Sequence, residues 1–258
     1  MIEKNELKIC EISAVGEKNS EAALGFVGER KTRVLEMLKG LEKDNFSAIS
    51  IREVSYKFLK ETIEPYMVTQ GFKLYVTEGL EEKNSYSVYS ILQVLFVRNI
   101  EFEQKYRKDQ YGKDPFPTVY RYLYGKFNFA GEDIYYKTSH APCGDRPDEA
   151  KQKMIKDEMI YQTNDMKRCF AISAGDWNVG HSQDVGYELF RKLPWEDFVS
   201  TPTYFNKQYN SEKQLDYCFV SPSLATNDKI KVMVEVRDDF YKTHTDHRLV
   251  VIKIKKLG

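Results

Sequence analysis

Apolar and polar side chains follow two periods along this chain, one typical of strands and one typical of helices. Residues 7–12 alternate apolar and polar side chains, as expected for a strand with one buried face. Residues 28–45 carry apolar side chains at a helical spacing with charges between them, which predicts an amphipathic helix. A second strand over 46–51 and a second helix over 55–66 are predicted in the same way.

The rest of the chain predicts more strands and one long helix. Strands are expected at residues 73–77, 90–98, 121–129, 134–138, 169–174, 215–220, 229–236 and 249–255. The charged segment 147–167 has the pattern of an amphipathic helix. Because some strands are joined by helices and others by hairpin-like turns, we expect mixed sheets with helices outside. No linker, repeat or low-complexity segment divides residues 1–258, so we predict one domain.

The overall charge of the chain does not point to a particular class of binding partner. The chain has 39 basic and 39 acidic residues, so its net charge of zero gives no overall attraction to nucleic acid or membrane. Within residues 101–126, cations alternate with aromatic side chains, a mixture that suits phosphate contact and base stacking. Acids in the same segment cancel most of that charge, which favours a solvated loop whose aromatic rings pack on the body of the protein.

Cysteine usage and hydropathy bear on the compartment. The four cysteines have no CxxC spacing, and three of them lie in apolar runs, where a reduced thiol behaves as a small hydrophobe. The first residues lack the apolar core of a signal peptide, and no apolar run approaches the length of a membrane span. We therefore predict a cytoplasmic protein with free thiols, no membrane span and no obligate protein partner.

Polar side chains stand at the ends of several predicted strands. They are Glu53, His140, Asp176 with Asn178, Asp216, and the adjacent pair Asp246 and His247. Taken singly, most of them are compatible with surface acids, satisfied core histidines or turn residues. Asp216 is harder to explain in this way, because its run is otherwise apolar and a buried carboxylate needs a cation, a donor or a metal.

Taken together, such groups suit the hydrolysis of a phosphate ester. Carboxylate oxygens bind Mg²⁺ or Mn²⁺ beside a phosphate, and a carboxylate next to an imidazole stabilises the base that activates water. The histidines and cysteines lack the close ligand spacing of a Zn²⁺ site, and no P-loop sequence is present. The sequence therefore predicts Mg²⁺ or Mn²⁺ as the cofactor.

Five motifs carry a resemblance to a known family. They are Arg52-Glu53, His140-Ala141-Pro142, Gly175-Asp176-Trp177-Asn178, Asp216-Tyr217 and Thr245-Asp246-His247. In this order they resemble the endonuclease/exonuclease/phosphatase superfamily, and His140-Ala141-Pro142 is similar to a motif of the deoxyribonuclease I branch. The resemblance spans nearly the whole chain and implies a four-layer α/β/β/α sandwich, two packed mixed sheets with helices outside.

The resemblance also implies a role for each residue. Glu53 would bind the metal, and Asp246 would bind the metal or hold His247. His247 would be the general base, supported by Asp216, which is the better candidate to hold its imidazole. His140 would be a general acid or base or contact the phosphate, while Asp176 and Asn178 would orient water, phosphate or metal. Arg52, Asn178 and His244 are the residues predicted to contact substrate.

Two positions and one segment depart from the family pattern. Ser13 stands where the family has an Asn near the metal, and serine is a shorter and weaker ligand. Arg52 replaces the usual Gln before the metal-binding Glu, so its guanidinium is expected either to pair with Glu53 or to point at the substrate phosphate. Residues 84–90 contain no clear equivalent of the acid that partners the first histidine.

The leading prediction is a Mg²⁺- or Mn²⁺-dependent phosphodiesterase, a nuclease whose expected substrate is DNA rather than RNA. A phosphatase or phosphodiesterase acting on a small ester, such as an inositol phosphate, a nucleotide or a phospholipid head group, stays open because the net charge is zero. A non-catalytic binding module on the same fold is the third possibility, and Ser13 and Arg52 would be its marks.

Overall fold

A computed structural model of the chain describes eight stretches of residues: 5–14, 30–54, 56–77, 92–105, 122–141, 148–180, 184–206 and 210–258. Its strands are, in chain order, β1 (Glu6–Ser13), β2 (Ala48–Val54), β3 (Lys73–Val76), β4 (Leu92–Val97), β5 (Phe102–Gln104), β6 (Tyr122–Phe129), β7 (Glu132–His140), β8 (Phe170–Asp176), β9 (Glu196–Asp197), β10 (Tyr204–Asn206), β11 (Ser211–Lys213), β12 (Asp216–Val220), β13 (Ile230–Arg237) and β14 (Leu249–Lys256).

The helices are α1 (Arg30–Leu41), α2 (Tyr56–Phe58), α3 (Glu64–Thr69), α4 (Asp148–Ile160), α5 (Tyr187–Phe190) and α6 (Pro222–Ala225). A 3₁₀ turn at Glu42–Asp44 follows α1, and π-helical turns at Leu59–Ile63 and Tyr161–Asp165 follow α2 and α4. Among the described residues, no helix is long and apolar enough to cross a membrane.

The strands form two six-stranded sheets and a two-stranded ribbon. Sheet A has the order β13-β14-β1-β2-β4-β3, sheet B has the order β5-β6-β7-β8-β12-β9, and β10 pairs with β11. Both large sheets are mixed: β1 runs parallel to β2 but antiparallel to β14, and β7 runs parallel to β8 but antiparallel to β6. The expectation of mixed sheets is confirmed.

Three hydrophobic cores define the layers. The central core joins the facing sides of the two sheets, with Leu7 and Ile9 of sheet A packed against Ile134 and Tyr136 of sheet B. The other side of sheet A packs against α1 and the helical segment 56–69, and the other side of sheet B packs against α4. Helices therefore cover both outer faces of two stacked sheets, and the predicted four-layer sandwich is confirmed.

Some elements differ from the sequence prediction. We expected residues 175–178 to leave their strand as a tight loop, but Gly175 and Asp176 belong to β8, because they continue its pairing with both neighbouring strands. The irregular segment after residue 100 contains the short strand β5, while residues 106–121 lie outside the described residues. Three of the predicted free thiols, Cys10, Cys169 and Cys218, carry no disulfide.

The space between the sheets changes from apolar to polar toward one end. Side chains alternate across a strand, so Leu7, Ile9, Glu11 and Ser13 of β1 share one face. On that face β1 begins with aliphatic side chains and finishes with two polar ones, all of them buried or nearly so. Neighbouring strands change in the same direction, and the polar end of the sandwich is where the predicted functional residues meet.

Candidate active site

Strand register in sheet B brings three predicted residues side by side. Asp176 is paired with His140 on β7 and with Asp216 on β12, so it lies between them at the ends of three adjacent strands. Residues opposite each other in a sheet project to the same face. All three side chains are at most 2% exposed, and His140 Nε2 lies 3.6 Å from Asp176 Oδ2.

A break in the alternation of sheet A supplies Glu53. The register of β2 against β4 shifts between Arg52 and Val54, and Glu53 has a φ of 59° in the left-handed region. Such a bulge inserts an extra residue and redirects a side chain. Glu53 therefore shares the inner face with Ser13, whose hydroxyl donates to Glu53 Oε1 at 3.2 Å, and with His140, whose Nε2 lies 3.7 Å from the same oxygen.

Glu53, His140 and Asp176 form a group that could hold a metal ion. One ligand atom from each lies within 4.8 Å of the others. Two carboxylate oxygens suit Mg²⁺ or Mn²⁺, and the imidazole nitrogen is a ligand that Mn²⁺ accepts more readily than Mg²⁺. The residues present therefore fit a divalent cation.

Asp216 holds the imidazole of His247. Asp216 Oδ2 lies 2.8 Å from His247 Nδ1, which leaves Nε2 on the other side of the ring, 3.9 Å from Asp176 Oδ2. The His247 backbone N–H donates to Thr245 Oγ1, and the ring of Tyr204 packs 5.0 Å from that of His247. The structure thus places Asp216, rather than the sequence neighbour Asp246, on the histidine.

Burial and mutual charge shift the acidities of the group. Burial raises the pKa of Asp176 above its ordinary value. Burial would also raise the pKa of Glu53, but the nearby His140 and His247 hold it below the ordinary value. For His247 burial acts to lower the pKa, yet the carboxylates, Asp216 foremost, raise it to about 10. The site therefore stabilises an imidazolium among carboxylates while no cation is bound.

The raised pKa of His247 predicts how stability depends on pH. Such a group contributes fully below its unfolded pKa of about 6.5, and the contribution is lost as the pH rises through the folded value of about 10. In EDTA, the difference in Tm between the wild type and His247→Gln should be largest near pH 6 and should shrink by roughly 5 °C toward pH 10. A difference that grows over this interval would contradict the charge state described above.

Asp246 and Asn178 lie at the margin of the group. Asp246 is half-buried, and its pKa is raised mainly by burial, with the charge of Glu53 adding to the effect and that of His247 opposing it. Asn178 has a left-handed backbone with a φ of 50°, its N–H donates to Asp176 Oδ1, and its amide Nδ2 donates to Ala141 O at 3.0 Å. Asn178 thereby ties the end of β8 to the residue that follows His140.

Two residues predicted to contact substrate are paired with acidic side chains of the protein. Arg52 is 1% exposed and pairs with Asp216, its Nη2 lying 2.5 Å from Oδ1, so its guanidinium lies between the sheets rather than at the solvent. His244 lies 3.0 Å from Glu36 of α1 and packs against the ring of Phe240. Within the described residues, the structure does not bring His244 into the Glu53–His140–Asp176 group.

Sequence reasoning missed Glu11 and Thr203. Glu11 is buried between the sheets, where the hydroxyls of Tyr136 and Thr138 donate to its carboxylate. The alternation of β1 carries a signal for it, because Glu11 occupies the same face as Leu7 and Ile9. Thr203 Oγ1 accepts from the Asp216 backbone N–H at 2.9 Å, and nothing in its local sequence marks that role.

Comparisons with known proteins identify the fold. No protein-family model and no curated protein sequence matches the chain. Among solved structures, D. rerio TDP2 complexed with a single-strand DNA product aligns with a TM-score of 0.65 at 14% identity, covering 98% of this chain and 100% of that one. An endonuclease/exonuclease/phosphatase family protein from Bacteroides thetaiotaomicron gives 0.62 at 16% identity, covering 98% of both chains.

A third solved structure is the endonuclease domain of TRAS1, a telomere-specific non-LTR retrotransposon. Its TM-score is 0.60 at 13% identity, covering 98% of this chain and 100% of that one. At these identities the likeness establishes a shared fold over almost the full length of each chain.

Proposed function

We propose, from the fold shared with solved endonuclease/exonuclease/phosphatase proteins, that this protein is a divalent-metal-dependent phosphodiesterase that cleaves DNA. The observation that carries the proposal is the convergence on one oxygen, Asp176 Oδ2. His140 of the possible metal group approaches it at 3.6 Å, and His247, held by Asp216, approaches it at 3.9 Å. A group that could hold a cation and an acid–imidazole pair thus lie on either side of one carboxylate, an arrangement that suits hydrolysis of a phosphate ester.

The residues divide the chemistry between them. Glu53 and Asp176 would hold Mg²⁺ or Mn²⁺, Asp246 is proposed as a further ligand, and the cation when bound would offset charge on the phosphoryl oxygens. Asp216 accepts a hydrogen bond from the Nδ1–H of His247 and holds the ring in place. Nε2 would take a proton from water once a bound cation offsets the charge of the neighbouring carboxylates and so lowers the pKa of His247. Asn178 keeps Asp176 and the chain beyond His140 in place.

His140 is proposed to contact the phosphate or to protonate the leaving oxygen. Its Nε2 faces both carboxylates of the possible metal group, at 3.7 Å from Glu53 and 3.6 Å from Asp176. Both histidines are at most 4% exposed, and a site with little access to bulk water strengthens each electrostatic interaction within it.

DNA is the proposed substrate because of two of the structural neighbours. D. rerio TDP2 was solved with a single-strand DNA product, and the TRAS1 domain is an endonuclease. The basic and aromatic side chains of residues 106–120, which would suit a phosphate backbone, lie outside the described residues. A cytoplasmic location and an organisation as a single domain stay predictions from the sequence.

Nicking of supercoiled plasmid tests the proposal. Incubation with Mg²⁺ or Mn²⁺ should convert supercoiled to open-circular DNA, and EDTA should abolish the conversion. Glu53→Gln should lower the rate by about 100-fold and weaken binding of Mn²⁺, because it replaces a charged carboxylate ligand by a neutral amide. The matched control is Glu235→Gln, a change in an exposed glutamate of β13 that pairs with Lys253, and it should nick at the wild-type rate.

Two other outcomes would change the proposed substrate or contradict the proposed activity. Intact plasmid together with hydrolysis of a small diester such as bis(p-nitrophenyl) phosphate would move the substrate to small phosphate esters. Intact plasmid and intact diester with either cation would contradict a phosphodiesterase.

A further inference from the structure

Three charged side chains are buried between the two sheets, next to the candidate active site. Glu11, Arg52 and Asp216 are each 1% exposed, and they lie between the sheets on β1, β2 and β12. Arg52 Nη2 lies 2.5 Å from Asp216 Oδ1. The guanidinium therefore bridges sheet A to the member of sheet B that holds His247.

Glu11 balances the charge of this arrangement from the other side. Burial raises the pKa of Glu11, and the positive charge of Arg52 is the largest effect opposing that rise. Tyr136 and Thr138 donate to the Glu11 carboxylate, and the hydroxyls of Thr138 and Ser50 lie 3.0 Å apart. Arg52 thus has one acid toward the apolar core and another toward the site.

Burying these charges together contributes little to the stability of the fold. Buried ion pairs lose hydration that their mutual attraction scarcely restores, and apolar residues of similar volume often serve stability as well or better. Away from this polar end, the central core between the two sheets is filled by apolar side chains. A buried arginine at the polar end of the sandwich is therefore better explained by what it does to Asp216 than by packing.

Arg52 and His247 occupy different oxygens of one carboxylate. Asp216 Oδ1 faces Arg52, and Asp216 Oδ2 lies 2.8 Å from His247 Nδ1. Rotation of the carboxylate would lengthen one contact or both, so the two contacts together oppose its rotation. A fixed carboxylate in turn fixes the imidazole, whose Nε2 then faces Asp176.

Resting on the proposed function, we propose that Arg52 is a positioning residue: it clamps Asp216 so that Asp216 orients His247, and it does not contact the substrate. Glu11 is the counter-charge that allows Arg52 to be buried there. The arginine that departs from the family pattern is thereby part of the catalytic arrangement.

The experiment separates positioning from charge balance by three variants. Arg52→Met removes the clamp and leaves Glu11 without its cation, so it should lower the Tm by roughly 10 °C and kcat by about 10- to 100-fold, with KM within threefold. Glu11→Gln combined with Arg52→Met removes both charges and should recover most of the Tm but not kcat. Arg52→Lys keeps the charge without the planar fork and should recover part of kcat.

Arg237→Met is the matched control. Arg237 is an arginine of sheet A that pairs with Asp44 and Asp239, so its loss should leave kcat within twofold of the wild type. Recovery of kcat together with Tm in the double variant would overturn the proposal, because Arg52 would then serve only to balance Glu11. A rise in KM with unchanged kcat would overturn it in favour of substrate contact.

A spectroscopic measurement tests the clamp without relying on hydrolysis. Nitrogen-15 NMR of the histidine side chains reports which ring nitrogen carries the proton, and His247→Gln identifies the signals of His247. In EDTA, the Nδ1–H of His247 should be protected from exchange in the wild type and should exchange at least tenfold faster in the double variant. Equal exchange would overturn the clamp, whereas absence of hydrolysis with the expected exchange would count against the proposed function alone.

Discussion

Replacement of His247 by glutamine is expected to lower the rate of phosphodiester hydrolysis by about 10²–10⁴-fold, the range that general bases contribute. Glutamine is of similar length but cannot take a proton from water. The measurement is the single-turnover rate on plasmid or on bis(p-nitrophenyl) phosphate at saturating Mn²⁺, at a pH where both proteins are folded.

Metal binding distinguishes this loss from damage to the cation site. His247 Nε2 approaches Asp176 but is not one of the three residues of the possible metal group. The affinity of His247→Gln for Mn²⁺, followed by the electron paramagnetic resonance of the free ion, should therefore stay within threefold of the wild type, unlike that of Glu53→Gln. A variant that retains more than a tenth of the wild-type rate would rule His247 out as the base.

Replacement of Gly175 by alanine should destabilise the protein by roughly 3–5 kcal/mol, combining overpacking with left-handed backbone strain. The φ of Gly175 is 138°, and an added Cβ would lie 2.0 Å from Ser139 O and 2.7 Å from Ser139 N. Because the neighbouring atoms belong to the backbone of β7, they can yield only if β7 and β8 move apart. Unfolding in guanidinium chloride gives the change in free energy.

Gly131 provides the matched control. It also has a positive φ, 82°, but a Cβ added there would meet no atom within 4 Å. Gly131→Ala should lower the free energy of unfolding by only about 1–2 kcal/mol, because only the backbone conformation is strained. Equal losses in the two variants would show that the close approach of β8 to β7 is not the source of the effect.

The architecture was predictable from the sequence because periodicity and burial determine it together. The strands that form the interior of the two sheets have clear alternation or continuous apolar runs, and α1 and α4 have helical spacing. The elements that were missed, such as β9 and the ribbon of β10 and β11, are two or three residues long. Strands of that length contain too few positions to establish a period.

The candidate site was predictable in its membership more than in its geometry. Acids and histidines at the ends of apolar runs pointed to Glu53, His140, Asp176, Asp216 and His247, and the structure places these five near one another. The direction of a side chain is harder to predict, because it depends on register. Glu53 should face away from Arg52 by simple alternation, and only the bulge in β2 brings it inward.

The partner of Arg52 shows the same limit in another form. Its neighbour in sequence is Glu53, and its partner in the structure is Asp216, which lies on the other sheet. An ion pair between two stacked sheets depends on how they are aligned, which no local pattern records. The burial of Glu11 was open to inference from alternation, but its relation to Arg52 was not.

The hydrogen bond from Thr245 Oγ1 to Ser13 O has a consequence for the time course of folding. It joins residues 232 positions apart, and Ser13 in turn donates to Glu53, 40 positions away. Closing loops of that length costs entropy before any contact is gained, so contacts of this kind form late and slow the folding of mixed sheets. During refolding, catalytic competence should therefore return with the last cooperative step rather than with the first appearance of secondary structure.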